Sequence, residues 1–261
     1  LAHPDFKKEV NKKALKMYLI FQYSVFEETF FKNVFKLKPG HYFIYKNNKL
    51  EIKEFFNIDF KKSKKSFNSL KKELQNTLED SIKYHQMTSD VEVGSYLSGG
   101  VDSSYVVSVA KPDKTFSVGF SEAGFDETEY AKELSKMLKI KNYQKHISSD
   151  DFFNALPIVQ YHTDEPHANL STVPLYFLSE LARKQVKVVL SGEGSDEMFA
   201  GYNEYNEPTI LKIYRYVPLF IRQFIAFVAR QFPHFPGQNT LKLYGKPIEE
   251  RYIGHGSLFE E

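Results

Sequence analysis

Two glycine-rich runs hold the residues of this sequence that could do chemistry. The first, SGGVDSS at residues 98–104, combines two adjacent glycines with three hydroxyl side chains and one carboxylate. Adjacent glycines let backbone N–H groups approach an anion closely, and the hydroxyls add donors. The run lacks the Gly-Lys-Ser/Thr ending of a Walker A loop and the spacing of a dinucleotide fingerprint. It predicts an anion-binding loop of another kind or, more simply, a glycine turn whose serine caps a helix.

Asp102 is the unusual member of the first run, because a carboxylate in an anion cradle repels the phosphate it faces. A hard cation such as Mg²⁺ removes this repulsion by bridging carboxylate and phosphate oxygens. We therefore expect a cation on Asp102. The second run, SGEGSDE at residues 191–197, places three acidic residues within five positions. Acids this dense at the end of a strand favour a binding loop over core packing.

Short apolar strands precede both runs. Residues 91–97 and 187–190 are predicted strands, and each is followed by one glycine-rich run. Further strands are predicted at 115–120 and 142–147, and helices at 126–138, 150–161 and 172–185. Strands alternating with helices predict an α/β fold with a doubly wound parallel sheet. Ligands of such sheets bind beyond the carboxyl ends of the strands, so both runs are candidates for one shared site.

The predicted helix over 126–138 carries an N-capping signal in its sequence. Asp126 precedes its apolar positions, and Glu129 follows three residues later, which is the spacing of a capping box. The helix over 126–138 is therefore expected to begin with Asp126 as its N-cap.

The amino-terminal part of the chain has a different pattern of apolar residues. Apolar positions at helical spacing predict helices over 8–22 and 67–85. Between them, aromatic and β-branched residues flank an Asn-rich turn. This pattern predicts a hairpin with strands at 41–45 and 50–55.

Composition excludes several classes of protein. The 261 residues include no cysteine, which rules out disulfides, thiolate metal sites and a cysteine nucleophile within this chain. No stretch approaches the ~18 apolar residues that a membrane helix needs, so no membrane partner is expected. No secretory signal is visible and the sequence starts at Leu1, which favours a fragment of a cytoplasmic protein.

Charge is distributed unevenly along the chain. Residues 1–75 carry 17 lysines against 8 acidic residues, while the remainder is acidic. The surplus is densest over 61–72, where a nucleic-acid patch is one interpretation and a solvated linker or helix start is the preferred one. We expect no nucleic-acid partner. His162 and His167 flank two acids, but their spacing and Pro166 argue against a transition-metal site.

The two runs also resemble known families. SGGVDSS resembles the pyrophosphate loop of the N-type ATP pyrophosphatases, which split ATP between its α and β phosphates. Residues 188–202 resemble the Leu-Ser-Gly-Glu-Gly-x-Asp-Glu-x-Phe-x-Gly-Tyr run of glutamine-dependent asparagine synthetases. Weaker matches to the same family lie at 28–41, 115–121, 126–131 and 164–174.

The resemblance implies a role for each site residue. Ser98, Gly99, Gly100, Ser103 and Ser104 would hold the pyrophosphate of ATP. Leu97 and Val118 would border the adenine, and Ser191 and Gly192 would give further nucleotide contacts. Asp102 and Asp196 would hold Mg²⁺. Glu193 would act as the catalytic base that deprotonates the attacking ammonia.

The resemblance also implies a domain organisation. Residues 1–60 would be the α+β carboxyl-terminal remnant of a glutaminase domain. Residues 61–261 would be the synthetase domain, with an adenine nucleotide alpha hydrolase-like fold and a truncated carboxyl terminus. The implied partners are aspartate, ATP, ammonia from glutamine and the missing amino-terminal glutaminase domain; a homodimer is compatible with the sequence.

Three alternatives remain open at this point. A relative that amidates or cyclises another carboxylate would share both runs. A nucleotide-binding regulatory module would need neither Glu193 nor Asp196 for chemistry. A nucleic-acid-binding protein would use the lysines over 61–72, and its binding would weaken steeply with salt.

Overall fold

The computed structural model describes residues 3–121, 126–163, 165–202 and 208–251. The chain forms two compact units. The sheet unit comprises Asp59–Gly201, and the hairpin unit comprises Leu1–Ile58 together with Tyr202–Glu261. These units are groupings by compactness. The predicted domains, residues 1–60 and 61–261, stay a prediction.

The sheet unit alternates strands and helices as predicted. Its elements are α2 (Phe67–Met87), β3 (Val93–Tyr96), α3 (Val101–Ala110), β4 (Lys114–Phe120), α4 (Thr128–Leu138), β5 (Lys141–Ile147), α5 (Ser149–His162), α6 (Thr172–Ala182), β6 (Val188–Leu190) and α7 (Ser195–Phe199). The observed α6 ends three residues before the predicted end at 185, because Arg183–Gln185 form a turn into the next strand.

The four strands of this unit form one parallel sheet in the order β5-β4-β3-β6. Strands β3, β4 and β5 follow one another across the sheet in chain order. Strand β6 then pairs with β3 on the side opposite β4. The strand order therefore reverses between β3 and β6, which is where ligands of doubly wound sheets bind. The predicted α/β class with a parallel sheet is confirmed.

Helices cover both faces of this sheet. In β4, Phe116 packs with Ala182 of α6, while the hydroxyl of its neighbour Thr115 bonds to Ser135 of α4 at 2.8 Å. Successive side chains of a strand point to opposite faces, so α4 and α6 lie on different sides. A second core cluster on the α6 side is centred on Ile147. The central strands β3 and β4 are thus largely buried on both faces, as expected for parallel strands.

The start of α4 differs from the prediction. Helix α4 begins at Thr128 with Glu127 as its N-cap, and Asp126 Oδ1 accepts a hydrogen bond from the Thr128 N–H at 3.0 Å. Glu129 pairs with Lys132 instead of closing a capping box. The prediction of Asp126 as N-cap was wrong because Asp126 also bonds His146 of β5 at 3.1 Å. These contacts with Thr128 and His146 lower the pKa of Asp126.

A capping box does occur at the next helix. The Ser148 hydroxyl accepts from the Asp151 N–H at 3.2 Å, and the Asp151 carboxylate accepts from the Ser148 N–H at 2.9 Å. Hydrogen bonds from Ser148 lower the pKa of the Asp151 carboxyl. This box fixes the turn between β5 and α5.

The hairpin unit is organised around an antiparallel hairpin. Its elements are α1 (Lys12–Phe21), β1 (His41–Lys46), β2 (Lys49–Glu54), α8 (Thr209–Tyr214), α9 (Leu219–Arg230), α10 (Gln238–Tyr244) and a 3₁₀ turn (Ile248–Glu250). Asn47 and Asn48 form the turn with positive φ angles of 52° and 56°, which suits a two-residue hairpin loop. The predicted hairpin is confirmed, whereas α1 starts four residues later than predicted because Asn11 caps it.

No helix in the described ranges combines the length and the apolar character needed to cross a bilayer.

Candidate functional site

Both glycine-rich runs leave the same edge of the parallel sheet. Strands β3 and β6 pair side by side, with Ser95 opposite Leu190. The Ser95 hydroxyl also donates to the Leu190 carbonyl at 3.2 Å. Strand β3 ends one residue after Ser95 and leads into the first run, and β6 ends at Leu190 and leads into the second run. The structure therefore places the two runs at the point where the strand order reverses.

The first run is closed by its own hydroxyl groups. The Ser98 N–H donates to Ser103 Oγ at 3.2 Å, and the two serine hydroxyls bond each other at 3.0 Å. The Gly100 N–H donates to Ser98 Oγ at 3.2 Å. These bonds hold residues 98–103 as a compact loop. The hydroxyls of Ser98 and Ser103 already have partners within it.

The start of α3 offers unpartnered backbone donors. Helix α3 begins at Val101, and its N-cap Gly100 supplies no side chain to bond the first turn. The N–H groups of Gly99, Val101, Asp102 and Ser103 donate no hydrogen bond to any described residue. Unpartnered N–H groups at a helix start bind anions well, because the helix dipole adds positive potential there.

Gly99 presses the loop against the start of α4. Its φ is +89°, and a Cβ at this position would lie 2.7 Å from Tyr130 Cβ and 3.3 Å from the Ala131 nitrogen. Only glycine combines this backbone conformation with this close contact. The loop is thus fixed between α3 and α4.

Gly192 brings the second run onto the first. A Cβ built at Gly192 would lie 2.8 Å from the Ser103 nitrogen and 3.0 Å from the Asp102 carbonyl carbon. The two runs therefore touch through backbone atoms, at the first turn of α3. This contact joins the sequence-predicted residues 98–104 and 191–192 in one place.

Three carboxylates close in sequence to this contact have no partner among the described residues. Asp102 and Asp196 are half-buried and Glu193 is exposed. None of the three makes a hydrogen bond or ion pair through its side chain with a described residue. Within the second run, Ser191 Oγ accepts from the Glu193 N–H at 3.1 Å and the Ser195 hydroxyl donates to the Gly192 carbonyl at 2.8 Å. The backbone of the acidic loop is thus fixed, while the carboxylates of Glu193 and Asp196 have no partner among the described residues.

The two residues expected to border adenine lie on different faces of the sheet. Leu97 is 1% exposed and packs with Val107 and Ala131 beneath α3 and α4. Val118 packs with the cluster of Ile147 on the α5 and α6 side. Their side chains form no common pocket, and Leu97 has only backbone atoms to offer a nucleotide. Both assignments stay predictions.

The described residues around Pro166 bond partners within the protein. Asp164 lies outside the described residues. The His167 N–H donates to Gln160 Oε1 at 2.8 Å, and the His162 ring packs edge-on against Tyr161. No cluster of three or more His, Cys, Asp or Glu suited to a metal ion occurs among the residues with described positions.

Sequence reasoning missed a group of buried polar residues behind the first run. Thr115 and Ser117 of β4 are 0% and 2% exposed, and Asn142 of β5 donates to both hydroxyls at 3.0 and 3.1 Å. The Ser117 hydroxyl donates to the Leu97 carbonyl at 2.7 Å. The alternation of Thr and Ser in an otherwise apolar strand was the available signal.

The chain matches two known families. Residues 73–251 match the family described as asparagine synthase. Residues 1–56 match the glutamine amidotransferase domain.

Individual relatives are similar over almost the whole chain. The chain is 42% identical over 259 residues to glutamine-hydrolysing asparagine synthetase 1 of Bacillus subtilis, and this match covers 97% of the chain and 41% of the relative. A putative glutamine-hydrolysing asparagine synthetase of Mycobacterium bovis is 35% identical over 264 residues, covering 97% of the chain and 40% of the relative. The chain thus spans about two fifths of the length of these relatives.

Among solved structures, an NH₃-dependent NAD synthetase from Campylobacter jejuni is 16% identical, with a TM-score of 0.35 over 51% of this chain and 60% of that one. This likeness is too low to carry an argument.

Proposed function

The chain belongs to the asparagine synthase family, and we propose that the longer protein it is part of converts aspartate, ATP and glutamine-derived ammonia into asparagine. The contact of Gly192 with the first turn of α3 carries this proposal. It joins a loop rich in backbone donors to a loop rich in carboxylates. An enzyme that binds a polyphosphate and activates a carboxylate needs both.

The phosphate groups of ATP would bind at the first run. The N–H groups of Gly99, Val101, Asp102 and Ser103, which have no partner among the described residues, support an anion site at the start of α3. Gly100 and Ser104 complete the loop, and the hydroxyls of Ser98 and Ser103 keep it closed. Ser191 and Gly192 would contact the nucleotide from the second run, and the backbone atoms of Leu97 and Val118 would lie nearest the base.

The donor set also suits Mg²⁺. Asp102 and Asp196 offer carboxylate oxygens with no partner in the described part of the chain, and Mg²⁺ prefers one or two carboxylates together with phosphate oxygens. We propose that these two residues hold the ion when ATP is bound. The ion would neutralise charge on the phosphates. Gly99 to Ser103 would orient the chain of phosphates for attack.

The proposed chemistry has two steps. In the first, an aspartate carboxylate oxygen attacks the α-phosphorus of ATP. The bond between the α-phosphorus and the oxygen that bridges it to the β-phosphorus breaks. Pyrophosphate departs, and the product is an aspartyl adenylate. In the second, ammonia attacks the activated carbonyl carbon and AMP leaves. The nitrogen must lose a proton on the way to a neutral amide. Glu193, an exposed residue of the second run, would accept it.

The hairpin unit supports the glutamine-dependent part of the proposal. Its residues 1–56 match a glutamine amidotransferase domain, and the chain has no cysteine to act as a glutaminase nucleophile. Ammonia would come from the rest of that domain in the longer protein. The homodimer and the absence of a nucleic-acid partner stay predictions.

Isotope exchange tests the activation step. The full-length protein is supplied with ATP, Mg²⁺ and labelled pyrophosphate, together with one carboxylic acid from a panel of aspartate, glutamate, N-acylated amino acids and amino-substituted dicarboxylates. We expect label to enter ATP with aspartate only. Exchange with another acid would identify a different acceptor, and exchange with none would refute adenylation.

The Glu193→Gln variant tests the base. Amide formation from ammonium should fall by about a hundredfold or more, while exchange with aspartate should change by less than about threefold. The reason is that the base acts after pyrophosphate has left. An equal fall in both rates would move Glu193 to the adenylation step.

A further inference from the structure

One peptide unit links the central sheet to the first glycine-rich run. The carbonyl of the Leu97–Ser98 peptide accepts from the Ser117 hydroxyl at 2.7 Å. The N–H of the same peptide donates to Ser103 Oγ at 3.2 Å. Because a peptide bond is planar, fixing its carbonyl also fixes the direction of its N–H. Ser117 of β4 therefore determines how the loop joins the start of α3.

The position of this bond in the sheet explains why it matters. The ladder between β3 and β4 ends with Tyr96 opposite Phe116, and the Leu97 N–H still donates to the Phe116 carbonyl at 2.9 Å. Leu97 is the residue at which the chain leaves the sheet. The Ser117 side chain supplies the hydrogen bond to its carbonyl beyond the last registered pair.

Asn142 orients the Ser117 hydroxyl. Its Nδ2 donates to Ser117 Oγ at 3.1 Å, which leaves the Ser117 proton to point at the Leu97 carbonyl. Asn142 bonds Thr115 in the same way at 3.0 Å, and Thr115 in turn bonds Ser135 at 2.8 Å. Thr115 and Ser135 are as buried as Ser117, yet no bond of theirs reaches the loop. The network thus contains one hydroxyl that contacts the loop and two that do not.

We propose that Ser117 is a positioning residue for the nucleotide site, acting through the Leu97–Ser98 peptide, with Asn142 holding it in place. The inference rests on the proposed function, because it assigns the first run to the phosphates of ATP. Its consequence is specific: loss of the Ser117 hydroxyl loosens the loop and weakens ATP binding, whereas loss of an equally buried hydroxyl elsewhere in the network does not.

Two chemically identical substitutions test this proposal in the full-length protein. Ser117→Ala removes the hydroxyl that contacts the loop, and Ser135→Ala removes one that does not. In aspartate-dependent exchange we expect Ser117→Ala to raise the KM for ATP by about three- to tenfold, as for one lost hydrogen bond, with kcat changed less. Ser135→Ala should leave both within about twofold. An equal rise in both variants, or no rise in Ser117→Ala, would overturn the proposal.

Hydrogen–deuterium exchange gives a second readout that needs no activity. The Ser98 amide should exchange faster in Ser117→Ala than in the unchanged protein, and at the unchanged rate in Ser135→Ala. Equal rates in all three proteins would overturn the proposal. If the unchanged protein shows no exchange of pyrophosphate, the proposed function fails, and the amide rates still decide the role of Ser117.

Ser117→Cys covers the case in which Ser117→Ala does not fold. The thiol keeps most of the side chain but donates a weaker hydrogen bond. We expect a KM for ATP raised by at least about twofold together with a faster Ser98 amide. A KM and an amide rate equal to those of the unchanged protein would overturn the proposal.

Discussion

The hairpin of β1 and β2 and the parallel sheet of β3 to β6 contain similar apolar residues but bury them to opposite extents. Phe43 and Ile52 face each other across the hairpin and are 56% and 57% exposed. Phe116 and Ile147 of the parallel sheet are both 0% exposed. The hairpin side that carries Phe43, Ile52, Tyr45 and Leu50 is therefore an apolar surface that no described residue covers.

This difference separates a complete core from an incomplete one. The parallel sheet has helices on both faces, and it also carries the candidate site. The apolar residues on the exposed side of the hairpin form a continuous patch, unlike the single apolar residues that are common on protein surfaces. Residues 1–56, which include this hairpin, match a glutamine amidotransferase domain. The candidate site thus lies on a sheet with a packed core, whereas the apolar side of the hairpin is not covered by any described residue.

The largest predicted difference concerns nitrogen donors. The 261-residue chain should make no asparagine from glutamine, because it has no cysteine for glutamine hydrolysis. It should still bind ATP, since both glycine-rich runs are present. Mass spectrometry of a reaction with labelled glutamine, alongside a nucleotide-binding titration, checks both statements. Labelled asparagine would contradict this account of the hairpin unit.

Matched core substitutions come next. Phe116→Ala should lower the free energy of unfolding by about 3–5 kcal/mol, the usual cost of emptying a packed aromatic site. Phe43→Ala in the hairpin should cost less than about 1 kcal/mol, because the ring is largely in water already. Urea denaturation of both variants measures the two values. Similar losses would mean that the hairpin is covered in solution.

The proposed role of Asp102 as a Mg²⁺ ligand predicts a loss of activity from a substitution in the sheet unit. Asp102→Asn should reduce aspartate-dependent exchange by about a hundredfold, because it removes a charge that holds the ion on the phosphates. The fold should survive, since the Asp102 side chain has no described partner. Circular dichroism serves as the control for folding. Unchanged exchange at any Mg²⁺ concentration would rule out Asp102 as a ligand.

Two glycine substitutions then compare the regions directly. Gly192→Ala drives a methyl group into the backbone of α3 and should raise the KM for ATP by about tenfold. Gly40→Ala places a Cβ 2.1 Å from the Phe56 carbonyl oxygen in the hairpin unit, where it should destabilise the hairpin and leave that KM unchanged. Pyrophosphate exchange on both variants decides. A raised KM for ATP in both variants would mean that the hairpin unit also affects nucleotide binding.

Much of the fold was predictable because it depends on local patterns. Alternation in β4 and the Asn47-Asn48 turn are visible in neighbouring residues. The failure at α4 has a physical cause. Asp126 had the sequence of an N-cap, but a partner 20 residues away, His146, fixed it one position ahead of the cap. The strand order was likewise beyond a local pattern.

The site was predictable in its residue types but not in its supports. The two runs were identified from composition and spacing, and the structure brings them together at Gly192. Ser117 and Asn142 were missed, because their bonds join residues 20 and 25 positions apart. Such pairs depend on strand register, which no single segment shows. The expected hydroxyl donors Ser98 and Ser103 proved to bond each other.

A crystal structure with a non-hydrolysable ATP analogue and Mg²⁺ tests the central claim, that the two runs form one nucleotide site. The account predicts phosphate oxygens within ~3 Å of the backbone N–H groups at the start of α3. Ser191 or Gly192 should contact the same nucleotide. A nucleotide held by one run alone, or bound elsewhere on the chain, would contradict it.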